Sequence, residues 1–194
     1  MNLIRELSEV WGEWQREPRF PFRKDHCVNG TRVAIEVLHR FGVEARPLSV
    51  AFILFNRFAW ELYNEGVPAD EWPEHAWSLG VGPEGMTVSI DDQGEDRWNG
   101  HLVAEGDNWT LDISAGQFDR PGRIVCRGPR VMPALPAKGW VEMIDNFGQI
   151  LAIRRWPENN AWRHAPGWKR LHAAETAELE ARLRIRMTKR LENL

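Results

Sequence analysis

Apolar residues open the chain with a clear period. Leu3, Leu7, Val10, Trp11 and Trp14 recur at i, i+4, i+7, i+8 and i+11, one stripe of an amphipathic helix. Pro18 and Pro21 end the period and set an extended approach to Asp25. A second helix is expected over residues 26–41. Asp25 is a good N-cap; Thr31, Ala34, Ile35, Leu38 and Phe41 follow at helical spacing, and Gly42 supplies the stop. Cys27 then falls in the first turn. Thr31, Ala34 and Leu38 share its face, so the thiol is expected to look toward the protein body.

Residues 43–54 are apolar and rich in β-branched and aromatic side chains, which reads as strand. Residues 55–65 read as a short helix ended by Gly66, and 68–85, with no period and several Pro and Gly, as a long loop or lid. Residues 86–90 are expected as a short strand and 91–96 as a polar turn. Residues 98–114 give a hairpin with Gly106-Asp107 at its turn, and a second pair, 139–145 and 149–155, surrounds Asn146-Phe147-Gly148. After an irregular stretch, 156–168, residues 169–192 form a long helix. Its glutamates (175, 178, 180) come early and its arginines (182 to 190) late, which complements the helix dipole. Glu178–Arg182 and Glu180–Arg184 are i,i+4 pairs, and Leu179, Leu183 and Leu191 are the docking residues. The pattern predicts an α+β fold in one domain over residues 1–194. A Cys-bearing helix packs on a small antiparallel sheet, with additional N- and C-terminal helices.

Composition narrows the classes. With 194 residues, 43% of them hydrophobic, the chain can bury one core, and a net charge of -3 gives no electrostatic case for nucleic acid or anionic membranes. No run approaches the roughly 18 apolar residues that span a bilayer. The charged, periodic N-terminus does not read as a signal peptide, and two cysteines, Cys27 and Cys126, suit a reducing cytoplasmic setting. Eleven tryptophans spread along the chain read as core and rim packing.

Candidate chemistry comes from the hairpin HLVAEGDNWTLD. If Gly106 and Asp107 are its two turn residues, Glu105 faces Asn108, Ala104 faces Trp109, and His101 stands opposite Asp112. Opposed Cβ atoms lie roughly 4.5–5.5 Å apart, which suits an imidazole–carboxylate hydrogen bond. A thiol enzyme needs a populated thiolate, an imidazole to exchange the proton and an acceptor to orient that imidazole. Cys27, His101 and Asp112 supply the three in that order.

Cys27 heads a helix that runs into Phe41-Gly42-Val43-Glu44-Ala45-Arg46, and this resembles the transglutaminase-like branch of the papain-like superfamily. Gly100-His101-Leu102-Val103 and Trp109-Thr110-Leu111-Asp112-Ile113-Ser114 resemble its His strand and its Trp-x-x-Asp-x-(Ser/Thr) strand. Gln117-Phe118 also fits the residues that often succeed that strand in the superfamily. The resemblance covers roughly residues 25–118. It implies a papain-like fold and a Cys-His-Asp triad acting on an amide, peptide or thioester carbonyl through a Cys27 thioester. The enzyme is then a hydrolase (protease or amidase) or an acyltransferase. Two departures stand out. Pro21 sits where the papain oxyanion glutamine would be. Arg23-Lys24-Asp25-His26-Cys27 is not the Arg-Gly-Gly-x-Cys of arylamine N-acetyltransferases, which disfavours an acetyl-CoA enzyme.

The bland readings are a buried structural Cys27, a satisfied strand His101 and a strand-end Asp112, giving a catalytically inactive fold used as a binding or regulatory protein. His26 beside Cys27 invites a metal site, but successive helical residues point about 100° apart. No metal and no cofactor are assigned. Cys126 reads as structural, His164 as packing against the sheet, and His39, His75 and His172 as surface. The substrate is a peptide, a protein or a small amide or thioester.

Overall fold

The computed structural model describes residues 2–22, 27–83, 100–115, 128–144 and 148–192. Several expectations lie outside these residues: the Asp25 cap, His26, the 86–90 strand, the 91–96 turn, Gln117, Phe118 and Cys126. The chain divides into two compact units. The first comprises Met1–Leu48, Leu102–Ala134 and Ala161–Leu194, and the second Ser49–His101 and Leu135–Asn160.

In the first unit, α1 (Leu3–Gln15) starts where Asn2 accepts hydrogen bonds from the Ile4 and Arg5 N–H groups. Such a cap is worth ~1 kcal/mol. Its expected stripe is buried from Leu7 through Val10 and Trp11 to Trp14. Trp11 meets Trp14 and Phe20 edge-on at 5.6 and 5.5 Å and stacks on Phe22 at 5.8 Å. This places Trp11 and Trp14 in packing, as composition suggested.

Helix α2 (Cys27–Arg40) ends as Gly42 predicts. With φ at +73°, Gly42 lets its own N–H reach the His39 carbonyl, while the Val43 N–H reaches Leu38. Cys27, Thr31, Ala34 and Leu38 are all buried, as their shared face requires. Val33, Ala34, Val37 and Leu38 join the α1 aromatics and Ala104, Leu111 and Ile113 in one core.

Strands β3 (His101–Glu105), β4 (Trp109–Asp112) and β5 (Arg130–Pro133) pair antiparallel in the order β5-β4-β3. Helix α4 (Pro166–Lys169) begins inside the stretch expected to be irregular and runs one residue past it, and α5 (Ala173–Glu192) starts later than residue 169. Leu179 and Leu183 are buried against the core, whereas Leu191 is exposed and does not dock. His172, expected at the surface, is buried. The chain between α4 and α5 folds back there, bringing its Nε2 to 2.8 Å from the Gly167 carbonyl and its ring edge-on to Phe22.

The second unit holds most of β1 (Arg46–Phe55), with β2 (Ser78–Val81) on one edge and β7 (Ile150–Arg155) on the other, and β6 (Val141–Ile144) on β7. Each of these three pairings is antiparallel. The β6–β7 pair is the expected second hairpin. β2 is a strand inside the segment expected to be loop or lid. Four residues show no period of their own, and the pairing comes from β1. A Cβ on Gly80 would meet the Phe52 carbonyl oxygen at 2.3 Å, so glycine is what lets the strands close. Helix α3 (Arg57–Asn64) is capped by Asn56 and stopped by Gly66 at φ +77°. The observed class is α+β with antiparallel strands.

Candidate active site

The hairpin register decides how the expected pair is arranged. Ala104 pairs with Leu111 and Glu105 with Thr110, not with Trp109 and Asn108. The ladder is therefore shifted by two residues, and the turn moves to Asp107-Asn108, where the Gly106 N–H donates to the Trp109 carbonyl at 3.0 Å. Continued along β3, this register sets Asp112 across from Val103, not from His101. A two-residue shift keeps every side chain on its face, where a one-residue shift would have flipped it.

The cause lies at Gly106. A two-residue hairpin turn of the Asp-Gly or Gly-Asp kind needs a left-handed glycine, and Gly106 is not one of those with positive φ. It serves a different purpose. A Cβ there would lie 2.4 Å from the Trp109 indole, so the glycine makes room for that ring.

Cys27 is the first residue of α2, a free thiol with 7% of its surface exposed. The N–H groups of a first helical turn have no intrahelical acceptor, so this is where an anion can be held. His101 opens β3 and is buried, with the Phe52 ring set edge-on against the imidazole at 5.1 Å. Asp112 closes β4, buried, with Arg130 as its register partner in β5. Its Oδ1 accepts from the Ser114 N–H at 3.1 Å and the Ser114 Oγ–H at 3.3 Å.

Cys27 and Asp112 belong to the first unit, and His101 closes a segment of the second, one residue before Leu102. Within the first unit, two contacts tie the Cys27 face of α2 to the strands. The Thr31 hydroxyl donates to the Leu102 carbonyl at 2.9 Å, inside the protein. A Cβ on Gly30 would stand 3.0 Å from Ile113 Cγ2 and 3.1 Å from the Trp11 ring. Gly30 and Thr31 lie one helical turn after Cys27, an axial rise of about 5–6 Å. Leu102 follows His101 in the chain, and Ile113 follows Asp112. Both anchors thus fall beside residues of the expected triad.

Comparison with family models, curated proteins and solved structures finds no match to this chain.

Sequence reasoning did not single out Gly30 and Phe52, and it named Thr31 on the Cys27 face and Ser114 in the Asp112 strand motif without giving either a role. Ser114 carried a readable signal, since Asp-x-Ser is the spacing of a side-chain-to-backbone turn. Gly30 carried one as well, being a helix-interior glycine that costs about 1 kcal/mol relative to alanine and so asks for a packing reason. The histidines outside the site differ in fate. His39, His75 and His164 are exposed, and His39 Nε2 lies 2.9 Å from the Ala45 carbonyl oxygen. His164 therefore does not pack inside the protein as expected. Among the described residues, no helix is long and apolar enough to cross a membrane.

Proposed function

We propose that the protein is a thiol enzyme of transglutaminase-like, papain-like type, in which Cys27 is the nucleophile, His101 the general base and acid, and Asp112 the group that orients the imidazole. The reading is carried by one observation. Thr31 and Gly30 fix the face of α2 one turn after Cys27 to Leu102 and Ile113, the residues that directly follow His101 and Asp112. Chain order and the two donors on the Asp112 carboxylate fit the same reading.

The reaction follows from these roles. His101 takes the thiol proton, and the Cys27 sulfur attacks the carbonyl carbon of an amide, peptide or thioester. The C–S bond forms as the carbonyl π pair moves onto oxygen, and the Cys27 N–H at the head of α2 is one donor for that oxyanion. The pair then returns, the bond to the leaving nitrogen or sulfur breaks, and the imidazolium protonates it. Water or an acceptor amine attacks the Cys27 thioester, His101 taking its proton, and the thiol is regenerated. Hydrolysis and acyl transfer share every step up to that thioester.

A second reading has its own support. Cys27 is only 7% exposed, as a core thiol would be, and the protein would then be an inactive fold of this type used for binding or regulation. Incubation with p-nitrophenyl acetate and peptide mapping separates the two. The enzyme reading expects a hydroxylamine-labile acetyl group on Cys27, absent in His101→Ala, and its loss to added amines or to water identifies transferase or hydrolase. Acetylation of Cys27 no faster than Cys126 contradicts the enzyme and supports the inactive fold.

A further inference from the structure

Asp112 is the last residue of β4, and the chain leaves the strand by folding back over its carboxylate. The Ser114 N–H and Oγ–H both donate to the same oxygen, Oδ1. The backbone donor alone makes the turn, which any residue at 114 provides. The hydroxyl is an additional group, and Ser114 is fully buried. Burying a hydroxyl is unfavourable unless it is bonded, so alanine would serve a purely structural turn as well or better. At 3.3 Å the hydroxyl contact is long for an O–H donor and is the weaker of the two bonds. Between the two residues, Ile113 lies against Gly30 of α2.

We propose that Ser114 is a positioning residue of the reaction. By loading Oδ1 with two donors it fixes the rotation of the Asp112 carboxylate, the group that the triad reading assigns to orienting the imidazole. This rests on the triad reading. The role of Ser114 is exerted through Asp112, so removing its hydroxyl impairs imidazole orientation while leaving the nucleophile and the base in place.

The test is the rate of iodoacetamide labelling of Cys27 against pH in the full chain, for wild type, Ser114→Ala, Ser114→Thr and Asp112→Ala, with His101→Ala beside them. Ser114→Ala is expected to slow labelling about three- to tenfold, the worth of one hydrogen bond, and to displace the pH profile. Ser114→Thr, which keeps the hydroxyl, restores both. Ser114→Gly removes the same hydroxyl and serves if the alanine variant does not fold. If the Ser114→Ala profile superimposes on wild type while Asp112→Ala is slow, Ser114 is only a turn residue and the inference is overturned. If Asp112→Ala and His101→Ala also match wild type, the triad itself fails and takes this inference with it.

Discussion

Two helices of the first unit are held in opposite ways. Helix α2 is fixed by shape: a methyl group on Gly30 would lie 3.0 Å from Ile113 and 3.1 Å from Trp11, so both would have to yield, and the Thr31 hydroxyl is bonded to a strand carbonyl. Helix α5 buries Thr176, Leu179 and Leu183, packs Met187 beside them, and is held at its surface largely by arginines. Arg182 reaches Glu17 and Glu178, Arg184 reaches Glu180, and Arg40 of α2 reaches Glu180 at 2.6 Å. Arg186 binds Glu6 at 2.8 Å and Glu13 at 2.7 Å, and also Glu9. Burial works against its charge, but the hydrogen bonds of Glu6 and Glu13 and the nearby carboxylates outweigh that and raise its pKa above the ordinary value. Long ion-paired side chains tolerate small displacements, whereas a glycine contact does not. The helix that carries the proposed nucleophile is the one with the closer fit.

The sharpest break in this comparison is Leu183→Ala. It removes one of two leucines that seat α5 and is expected to cost about 2–5 kcal/mol in urea unfolding. A loss below about 1 kcal/mol would mean that the ion pairs alone hold the helix. Next is Gly30→Val, whose branched side chain must displace Ile113 and Trp11. Overpacking of this kind costs about 1–3 kcal/mol, and labelling of Cys27 should change with it. Unaltered stability would show that α2 has room after all. Thr31→Val keeps the shape and leaves the buried Leu102 carbonyl without this donor, at about 1–3 kcal/mol and toward the lower end, because a carbonyl has a second lone pair to offer. An unchanged unfolding midpoint would remove the anchor from the account.

The smallest effect is on pH. Hydrogen bonding and charge from Arg182 hold Glu17 below its ordinary 4.5, and hydrogen bonds from Arg40 and Arg184 do the same for Glu180. Groups depressed on folding contribute above their unfolded pKa, and the contribution is lost as pH falls through the folded value. Acidification below about pH 4.5 should therefore loosen α5, seen as faster amide exchange there, while α2 keeps its protection. Loss of protection in both helices together would contradict the contrast.

Much of this arrangement was readable from local pattern. The stripe from Leu3 to Trp14, the Gly42 stop and the i,i+4 pairs of α5 depend on spacing alone, and each is present. The hairpin at 101–114 was readable as a hairpin but not in its register. Gly106 is required by the Trp109 ring and not by a turn dihedral, a distinction no dipeptide rule carries. β2 was missed because its four residues gain their strand conformation from β1. His172 and Leu191 were misplaced for a related reason. Which side of a connection or a helix end is covered is decided by the neighbouring elements, here α4 and Phe22 for His172, while Leu191 is left exposed. For the site, the Cys27 face was legible in the helical spacing, whereas the contacts that anchor it, Gly30–Ile113 and Thr31–Leu102, join residues far apart in the chain.

The most direct test of the central claim is the labelling of Cys27 by iodoacetamide in the folded protein, followed by mass spectrometry, in wild type and His101→Ala. A thiol activated by its neighbours is alkylated in the native state, faster than Cys126, and loses roughly tenfold or more of that rate when the imidazole is removed. A core thiol behaves in the opposite way: its labelling follows the opening of the protein, so wild type and His101→Ala differ only as their stabilities differ, and mild denaturant accelerates both. That second result would contradict the assignment of Cys27 as a nucleophile.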